Sequence, residues 1–464
     1  MSFIDWSIIV LYGVGLFIVI ALTKRAKTMD DFAVGSRMVP GSIVFASLFA
    51  TFIGPGFSMG LANNVAGDGL IWLLVFFAFS LQTLLIGYFI APRLRAFENA
   101  RTLGDIMGYR YGKATQFITG ILSVALCTGL VGAITKASAD IIYGFTGLPF
   151  MWAVLLSAIV VLLYSTLGGV KSVVATDVVQ FVLLGLFVPV ILIFIFVQHD
   201  ASTLLDSIPS DAFTLTGHFS PAVLLGLFLA WLLSETLIPP LANRALMAKD
   251  AAQAKKGFLL SGGFSIIFFV ICSGIGLLAL GVLPAGTENY YLSAMQSYLP
   301  VGVLGLAVAA MISIVMSSQD SCLNAASVSF TTDILALLSP RYQQNDIALT
   351  SSRIMNVLIG VFAVIMAIQV PNVVEALMYC YTLWMPTIVL PLIIAVLKKN
   401  VHPYAGFFSM IGGGLATGIW ELGFGNPYDV PSMLIGIAAN QVVFWVIQST
   451  MSNKSKCRYF QPLT

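Results

Sequence analysis

Apolar segments long enough to cross a lipid bilayer recur from one end of this sequence to the other. About thirteen can be counted from their length and from the short polar connections between them. Only 9% of the residues are charged, whereas soluble globular chains have roughly 25%. The sequence therefore predicts an all-α polytopic membrane protein with segments at residues 4–22, 43–61, 70–90, 117–143, 150–167, 173–197, 221–241, 258–283, 301–338, 354–370, 373–397, 405–422 and 433–447.

Lysine and arginine side chains lie in alternate connections of this pattern. All 22 of them except Lys136 fall on the same side, and Arg244 is counted with them just after the seventh segment. Connections rich in basic residues stay in the cytoplasm. The pattern therefore predicts a multi-pass protein of the cell membrane with its amino terminus outside and its carboxyl terminus in the cytoplasm.

The connections between the segments are too short to hold a soluble domain. We expect a first helix with its loop at residues 1–40, a core at 41–400, and two further helices with a short tail at 401–464. The five cysteines and three histidines are scattered, and no Ser/His/Asp or Cys/His arrangement is found. The sequence thus predicts no enzyme and no nucleic-acid-binding protein. It predicts a protein of the lipid bilayer that binds a small molecule and works as a monomer.

Two of the predicted spans carry helix-breaking residues near their middle. In the second span Pro55 stands between two glycines, and in the seventh Glu235 is followed by Pro239 and Pro240. Proline removes a backbone hydrogen bond, and freed carbonyls are tolerated in a bilayer only where they line a cavity or bind a ligand. Both spans are predicted to be broken helices, and an ordinary proline kink is the alternative for each.

The two interrupted spans lie five apart in the chain. Spans two to six and seven to eleven would then form two five-helix halves of opposite orientation. Broken helices at matching positions of inverted repeats indicate the central site of a transporter. The spacing predicts a five-plus-five inverted repeat, although no residue-level identity between the halves is visible.

A polar stripe runs along the ninth span. Ser313, Ser317, Ser321 and Asn324 recur at helical spacing, and Asp320 lies beside them. A stripe that includes a carboxylate is costly in lipid, so it is expected to face a protein interior, a cavity or an ion path.

Oxygen atoms suited to sodium can come from this stripe and from the first break. Sodium needs several oxygens in place of its water shell, and neutral oxygens suffice. Backbone carbonyls near Ala50 and Ile53, the Ile314 carbonyl, and the Ser317 and Ser318 hydroxyls can supply them. The alternative is that the serines bond only to their own helix.

The residues at these places resemble the sodium/solute symporter family. The resemblance covers nearly the whole chain and is carried by Ala50-Thr51-Phe52-Ile53, Leu167-Gly168-Gly169-Val170, Ala175-Thr176-Asp177-Val178-Val179-Gln180, Ile314-Val315-Met316-Ser317-Ser318 and Thr332-Asp333. It implies a leucine-transporter-type fold with alternating access. It also implies co-transported Na⁺ at a main site made by the backbone of Ala50, Ile53 and Ile314 and by the side chains of Ser317 and Ser318.

The same resemblance implies a possible second cation or proton site. Asp177 matches an acid that helps to hold a second sodium ion in some members, together with hydroxyls at the positions of Asp320 and Ser321. Asp320 departs from that pattern because it is a carboxylate. One sodium ion, two sodium ions and a shared proton all stay open, and Asp177 as a helix cap is the alternative.

The residues expected to bind substrate lie at the two breaks. Thr51, Phe52, Gly54 and Phe57 are assigned from the second span, and Trp231 and Glu235 from the seventh. Charge and cation–π contact from the latter pair favour an amine-bearing solute. Alternatively, Glu235 bonds to the backbone of its break or pairs with a lysine of the fourth span.

That lysine, Lys136, could instead bind an organic acid, or could pair with Asp140 one helical turn later. Trp72, Tyr381 and Trp384 are candidate walls or gates of the cavity, with plain packing as the alternative.

Together these features predict a sodium-coupled symporter that imports a small polar organic solute, with an amino acid or organic cation favoured. The alternatives are an organic acid or a sugar as the solute, or an uncoupled channel or sensor on the same fold.

Overall fold

The computed structural model describes residues 1–464 except 24, 216–218, 235, 370–379, 399, 428–429, 452–457 and 460–464. The described residues are almost entirely helical. Two short strands, β1 (Asn400–Val401) and β2 (Arg458–Tyr459), pair in antiparallel fashion.

The helices are numbered in chain order. The first ten are α1 Phe3–Leu22, α2 Met29–Val34, α3 Gly41–Phe52, α4 Gly56–Asp68, α5 Ile71–Arg95, α6 Leu103–Tyr111, α7 Lys113–Thr146, α8 Phe150–Gly168, α9 Val170–Val197 and α10 Ala201–Ser207. The others are α11 Pro221–Ser234, α12 Pro239–Leu246, α13 Ala251–Val282, α14 Tyr290–Tyr298, α15 Val303–Leu338, α16 Asn345–Gln369, α17 Cys380–Leu397, α18 Pro403–Gly418 and α19 Ser432–Met451.

Ten of the helices in the described part of the chain are long and apolar enough to cross a membrane. The bent pair α3 and α4 raises that number to eleven. Helices also lie at the other two predicted spans, but one of them divides into α11 and α12, and α18 is short. The all-α membrane class is confirmed, whereas the predicted number of thirteen spans is not.

Both predicted interruptions separate two helices. α3 ends at Phe52, α4 begins at Gly56, and the chain bends by 68° between them. Pro55 explains this break, because it has no N–H to continue the helical ladder. At the second interruption Leu237 adopts a left-handed φ of 53°, which is uncommon for a residue with a large side chain.

The centre of the molecule is α15. Within its most apolar stretch 78% of the residues are buried, and the helix packs against α7, α9, α16 and α1. The end of α3 also packs on α15 and on α9. The polar stripe of α15 is therefore enclosed by protein, as its cost in lipid requires.

A short helix closes the predicted cytoplasmic end of this core, and we call α2 with its buried Phe32 and Ala33 the α2 plug. The Asn243 amide donates to the Ala33 carbonyl at 2.6 Å, and the Asn324 amide donates to the Phe32 carbonyl at 3.4 Å. These bonds tie the plug to α12 and to α15.

A salt bridge also holds the α2 plug to the start of α9. The Lys171 ammonium lies 2.5 Å from the Asp31 carboxylate. Burial raises the pKa of Asp31, but hydrogen bonds from Lys171 and Ser36 outweigh it and lower that pKa to about 2. Because the folded-state pKa is depressed, the stabilisation from this bridge is complete above 3.8 and is lost only as the pH falls toward about 2. The plug is therefore held at neutral pH.

The close packing of α13 against α4 gives a first testable prediction. A methyl group added at Gly276 would overlap the Ala62 carbonyl oxygen, whereas one added at Gly263 of the same helix meets nothing within 4 Å. Gly276→Ala should destabilise the fold by ~1–3 kcal/mol through overpacking. Gly263→Ala should be neutral or slightly stabilising, since alanine favours helix by ~1 kcal/mol. Thermal unfolding of the two purified variants measures the difference, and equal midpoints would contradict the predicted overlap.

Candidate functional site

The break after α3 releases two backbone carbonyls from the helical pattern. In a continuous helix the Gly54 N–H would donate to the Ala50 carbonyl, but here it donates to the Phe52 carbonyl at 2.8 Å. In the same way the Phe57 N–H, which would donate to the Ile53 carbonyl, donates to the Gly54 carbonyl at 3.1 Å. The Ala50 and Ile53 carbonyls, both in buried residues, thus lose their usual donors. Oxygens in this state are suited to a cation.

Ser318 of α15 contacts the same break. Its hydroxyl donates to the Thr51 carbonyl at 2.6 Å and more weakly to the Ile314 carbonyl of its own helix at 3.3 Å. The Thr51 carbonyl needs this donor because Pro55, one turn later, has no N–H. The alternative, a bond from Ser318 to its own helix, is therefore present, but it is the weaker of the two hydrogen bonds.

Ser317 faces α9 from the same turn of α15. Its hydroxyl donates to Asp177 Oδ1 at 2.8 Å. Asp177 Oδ2 accepts a hydrogen bond from Ser47 of α3. The structure thus brings α3, α9 and α15 together around the residues predicted to bind the main sodium ion.

Asp177 does not cap a helix. It lies inside α9, whose N-cap is Gly169, and its side chain is fully buried among polar groups. The alternative function of Asp177 as a cap is therefore wrong, because the helix begins earlier than the acid.

Asp320 and Ser321 lie on the adjoining face of α15. Asp320 Oδ2 accepts a hydrogen bond from the Tyr164 hydroxyl at 2.5 Å, and Oδ1 accepts one from the Ser321 hydroxyl at 3.2 Å. The Ser321 hydroxyl also lies 3.1 Å from Thr51 Oγ1. The predicted second group of ligands is therefore assembled next to the first.

Arg244 is the site residue that sequence reasoning missed. The alternation of basic residues places it in a cytoplasmic loop, but the structure buries it on α12 with 1% of its surface exposed. Its Nη2 lies 3.1 Å from Asp177 Oδ2 and 2.8 Å from Thr51 Oγ1, and it also donates to Ser321 Oγ. The signal that could have found it is helix length, since α12 continues past the predicted end at residue 241 to Leu246.

A cavity of about 210 Å³ lies beside this cluster. Its walls include Thr51, Phe52, Gly54, Phe57 and Trp231, which are five of the six predicted substrate residues. The sixth, Glu235, lies outside the described residues. Further lining residues are Asn64, Phe76, Leu130, Ile134, Ile238, Ser318, Cys322 and Tyr381.

Aromatic rings form one side of the cavity. The Phe76 and Trp231 ring centroids lie 4.6 Å apart, and Phe57 lies 5.3 Å from Trp231. The polar lining in the described part of the chain consists of hydroxyl and amide groups on Thr51, Asn64, Ser318 and Tyr381. The cavity therefore presents neutral polar groups opposite apolar ring faces.

The other candidate residues mostly have structural contacts. Lys136 pairs with Asp140 at 3.1 Å and lies over the Phe150 ring, away from the cavity lining, so the local pairing is confirmed. Trp72 bonds to Asp68 at 2.8 Å, and the buried Trp384 bonds to the backbone at 3.3 Å. Of the three aromatic candidates, only Tyr381 reaches the cavity lining that is described.

Known proteins share these features over most of the chain. A family model described as the Sodium:solute symporter family matches residues 32–413. Sodium/glucose cotransporter 4 of Danio rerio is 24% identical, over 91% of this chain and 73% of that protein. The sodium/sialic acid symporter SiaT of Proteus mirabilis (strain HI4320) is 23% identical, over 94% of this chain and 88% of that protein.

Solved structures show the same fold. A Na⁺-coupled sialic acid symporter, in a substrate-bound outward-open state, superposes with a TM-score of 0.86 at 20% identity and covers 99% of both chains. MhsT in complex with L-phenylalanine gives a TM-score of 0.51 at 16% identity, over 87% of this chain and 97% of that one. These neighbours have the leucine-transporter-type fold, while the predicted inverted repeat stays a prediction.

Proposed function

Since the chain belongs to the sodium:solute symporter family and is thus a sodium-coupled symporter of the membrane, we propose that it imports a small hydroxylated solute through the cavity beside α3 and α15. The observation that carries the proposal is the double contact of Ser318. This residue lines the cavity and also bonds across the α3 break at 2.6 Å. A sodium ion bound at the α3 break would therefore contact Ser318, which also lines the cavity for the solute.

The proposed main sodium site uses the Ala50, Ile53 and Ile314 carbonyls and the Ser317 and Ser318 hydroxyls. Binding an ion requires both hydroxyls to turn so that their oxygens face it. Sodium would then join the α3 break to α15. It couples transport because a ligand shifts a conformational equilibrium only through its different affinity for the two states. Sodium therefore favours the state in which α3 and α15 are in contact.

The solute that fits this cavity best is a sugar. The favoured amino acid or organic cation lacks support, because the described lining has hydroxyl and amide groups and aromatic faces. Sugars match both, since their hydroxyls bond to such groups and their C–H faces pack on rings. The cavity volume of about 210 Å³ lies below the ~300–1,000 Å³ of typical small-molecule sites, which favours a monosaccharide.

A sugar acid is the second candidate. Arg244 donates to Thr51 Oγ1 at 2.8 Å, and Thr51 lines the cavity, so a guanidinium that is paired with Asp177 lies just behind the wall. Relatives named as sodium/sialic acid symporters are in keeping with this candidate.

Uptake into proteoliposomes tests the proposal. Labelled glucose, galactose, sialic acid and proline are each offered with an inward sodium gradient and with potassium in its place. We expect sodium-dependent accumulation of a sugar or sugar acid and none of proline. Accumulation of proline alone would contradict the proposed solute class. A conductance without accumulation would favour an uncoupled channel.

Asn64 gives a prediction for the cavity itself. Asn64→Ala removes an amide from the lining. The loss of one hydrogen bond, worth about 1–1.5 kcal/mol, should raise the KM for the transported solute by ~5–10-fold. The sodium concentration for half-maximal uptake should change little, because Asn64 is not among the proposed sodium ligands. An unchanged KM would place the solute elsewhere.

A further inference from the structure

The second break, between α11 and α12, frees backbone carbonyls in the same way as the first. In a continuous helix the Thr236 N–H would donate to the Leu232 carbonyl, but here it donates to the Leu233 carbonyl at 3.2 Å. The Thr236 carbonyl also loses its usual donor, because Pro240, one turn later, has no N–H. Carbonyls freed in the interior of a membrane protein need donors from elsewhere.

Side chains of two neighbouring helices supply these donors. The Gln82 amide of α5 donates to the Leu232 carbonyl at 2.7 Å and also to the Thr236 hydroxyl. That hydroxyl in turn donates to the Leu232 carbonyl at 3.2 Å. The Trp384 indole of α17 donates to the Thr236 carbonyl at 3.3 Å. Gln82 makes the shorter bond to the backbone and contacts both sides of the break, so α5 is its main support.

The same face of α5 also forms part of the cavity wall. Phe76, Phe79 and Gln82 recur at every third residue of this helix, so their side chains follow one stripe. The Phe76 ring lies 4.6 Å from the Trp231 ring, and both residues line the cavity. Trp231 directly precedes Leu232, whose carbonyl accepts the bond from Gln82. α5 therefore contacts α11 through a ring in the wall and through an amide beside it.

The contribution of Gln82 to stability is smaller than its donated bonds suggest. Its side chain is 3% exposed, and its Oε1 atom accepts no hydrogen bond in the part of the chain that the structure describes. A buried acceptor without a partner costs free energy, which offsets the gain from the donated bonds. Gln82 is also absent from the described lining of the cavity, so its bonds act on the break and not on the solute.

We infer that Gln82 is a positioning residue of the solute cavity, because its amide holds the second break so that Trp231 keeps its place in the wall. The inference rests on the proposed binding of the solute in this cavity. At the first break the donor, Ser318, is also a proposed sodium ligand, whereas Gln82 is not. Gln82 therefore determines the affinity for the solute without a direct effect on sodium.

Gln82→Met tests this inference, because it keeps the length of the side chain and removes the donor. Uptake into proteoliposomes is measured with labelled glucose, galactose, sialic acid and proline, and ²²Na⁺ binding is measured without any solute. We expect the KM of the transported probe to rise by ~5–10-fold, since a hydrogen bond that positions the wall is lost. The maximal rate per folded protein and the half-saturating sodium concentration without solute should each stay within about 2-fold of wild type.

Ser80→Ala is the matched control on the same helix. Ser80 is buried like Gln82, but its hydroxyl lies 2.7 Å from the Ser265 hydroxyl of α13 instead of contacting α11. Neither serine is in the described cavity lining. This variant should leave the KM within about 2-fold of wild type, because the bond that it removes does not support the break. An equal rise in KM for Ser80→Ala and Gln82→Met would overturn the inference.

Thr236→Val is a second variant that removes the other partner of the Gln82 amide. It should raise the KM in the same way, and it decides the question if Gln82→Met does not fold. A wild-type KM in the folded variant, or a matching rise in the half-saturating sodium concentration without solute, would overturn the inference. Loss of folding in both variants would also overturn it, since the contact would then be structural.

Failure of the proposed solute class is a separate outcome. If proline alone accumulates, the hydroxylated solute is contradicted, and the KM for proline still tests Gln82. If no probe accumulates, hydrogen–deuterium exchange of the Thr236 amide decides. Faster exchange in Gln82→Met than in wild type and Ser80→Ala supports the hold on the break, and equal exchange in all three overturns it.

Discussion

Replacing Ser317 and Ser318 together with alanine should raise the sodium concentration for half-maximal uptake by at least roughly 100-fold. The two hydroxyls are the side-chain ligands of the proposed main site, and hydrogen-bonding groups that meet a charge contribute about 1.5–3 kcal/mol each. The carbonyls of Ala50, Ile53 and Ile314 alone would leave the ion with too few oxygens. The effect is measured as initial uptake into proteoliposomes against external sodium.

Ser313→Ala is the matched control for this double substitution. Ser313 lies one turn earlier on the same face of α15 and donates to the Tyr12 hydroxyl at 2.6 Å, outside the proposed ligands. Its loss should leave sodium half-saturation within about 2-fold of wild type, because a neutral hydrogen bond away from the ion does not change the affinity for sodium directly. A double variant that retains wild-type sodium dependence would rule out the proposed site.

Asp177→Asn should destabilise the protein by ~3–5 kcal/mol, because it leaves the buried Arg244 charge without its partner. The Asp177 and Arg244 side chains lie 3.1 Å apart and are 0% and 2% exposed, so water cannot replace the lost carboxylate. The thermal unfolding midpoint should fall by several degrees, and uptake should be lost with it.

Two comparisons identify the cause of that loss. Asp140→Asn breaks the exposed Lys136–Asp140 pair at 3.1 Å and should cost at most ~1 kcal/mol. Asp177→Asn combined with Arg244→Gln should recover part of the midpoint, since the guanidinium charge is then removed together with its partner. A single variant as stable as wild type would contradict a strong buried pair.

The helical class and the buried polar face of α15 were predictable because both follow from local patterns. Runs of apolar residues give the spans, and the spacing of Ser317 and Ser321 places them on one face of α15. Pro55 indicated its break through backbone chemistry alone. The number of spans could not be predicted in the same way, because α12 and α18 are short and a count by apolar length treats them as ordinary crossings.

Arg244 could not be recognised by the same reasoning. Basic residues at the ends of apolar segments usually mark cytoplasmic loops, and this statistical rule does not distinguish a loop from an inward-facing helix. Its partner Asp177 is distant in the chain, so their pairing depends on how α9 and α12 pack. The favoured amine-bearing solute lacks support for a related reason. It depended on Glu235 and Trp231, whereas the cavity walls are assembled only in the folded chain.

The neighbouring positions of Asn243 and Arg244 have a consequence for how efficiently the sodium gradient is used. One residue bonds to the α2 plug at 2.6 Å and the next to Asp177 at 3.1 Å. A tilt of α12 that breaks the bond to the plug would also move the guanidinium away from Asp177. We therefore expect the covalent adjacency of Asn243 and Arg244 to oppose slippage, in which the plug is released while the contacts of Asp177 stay unchanged.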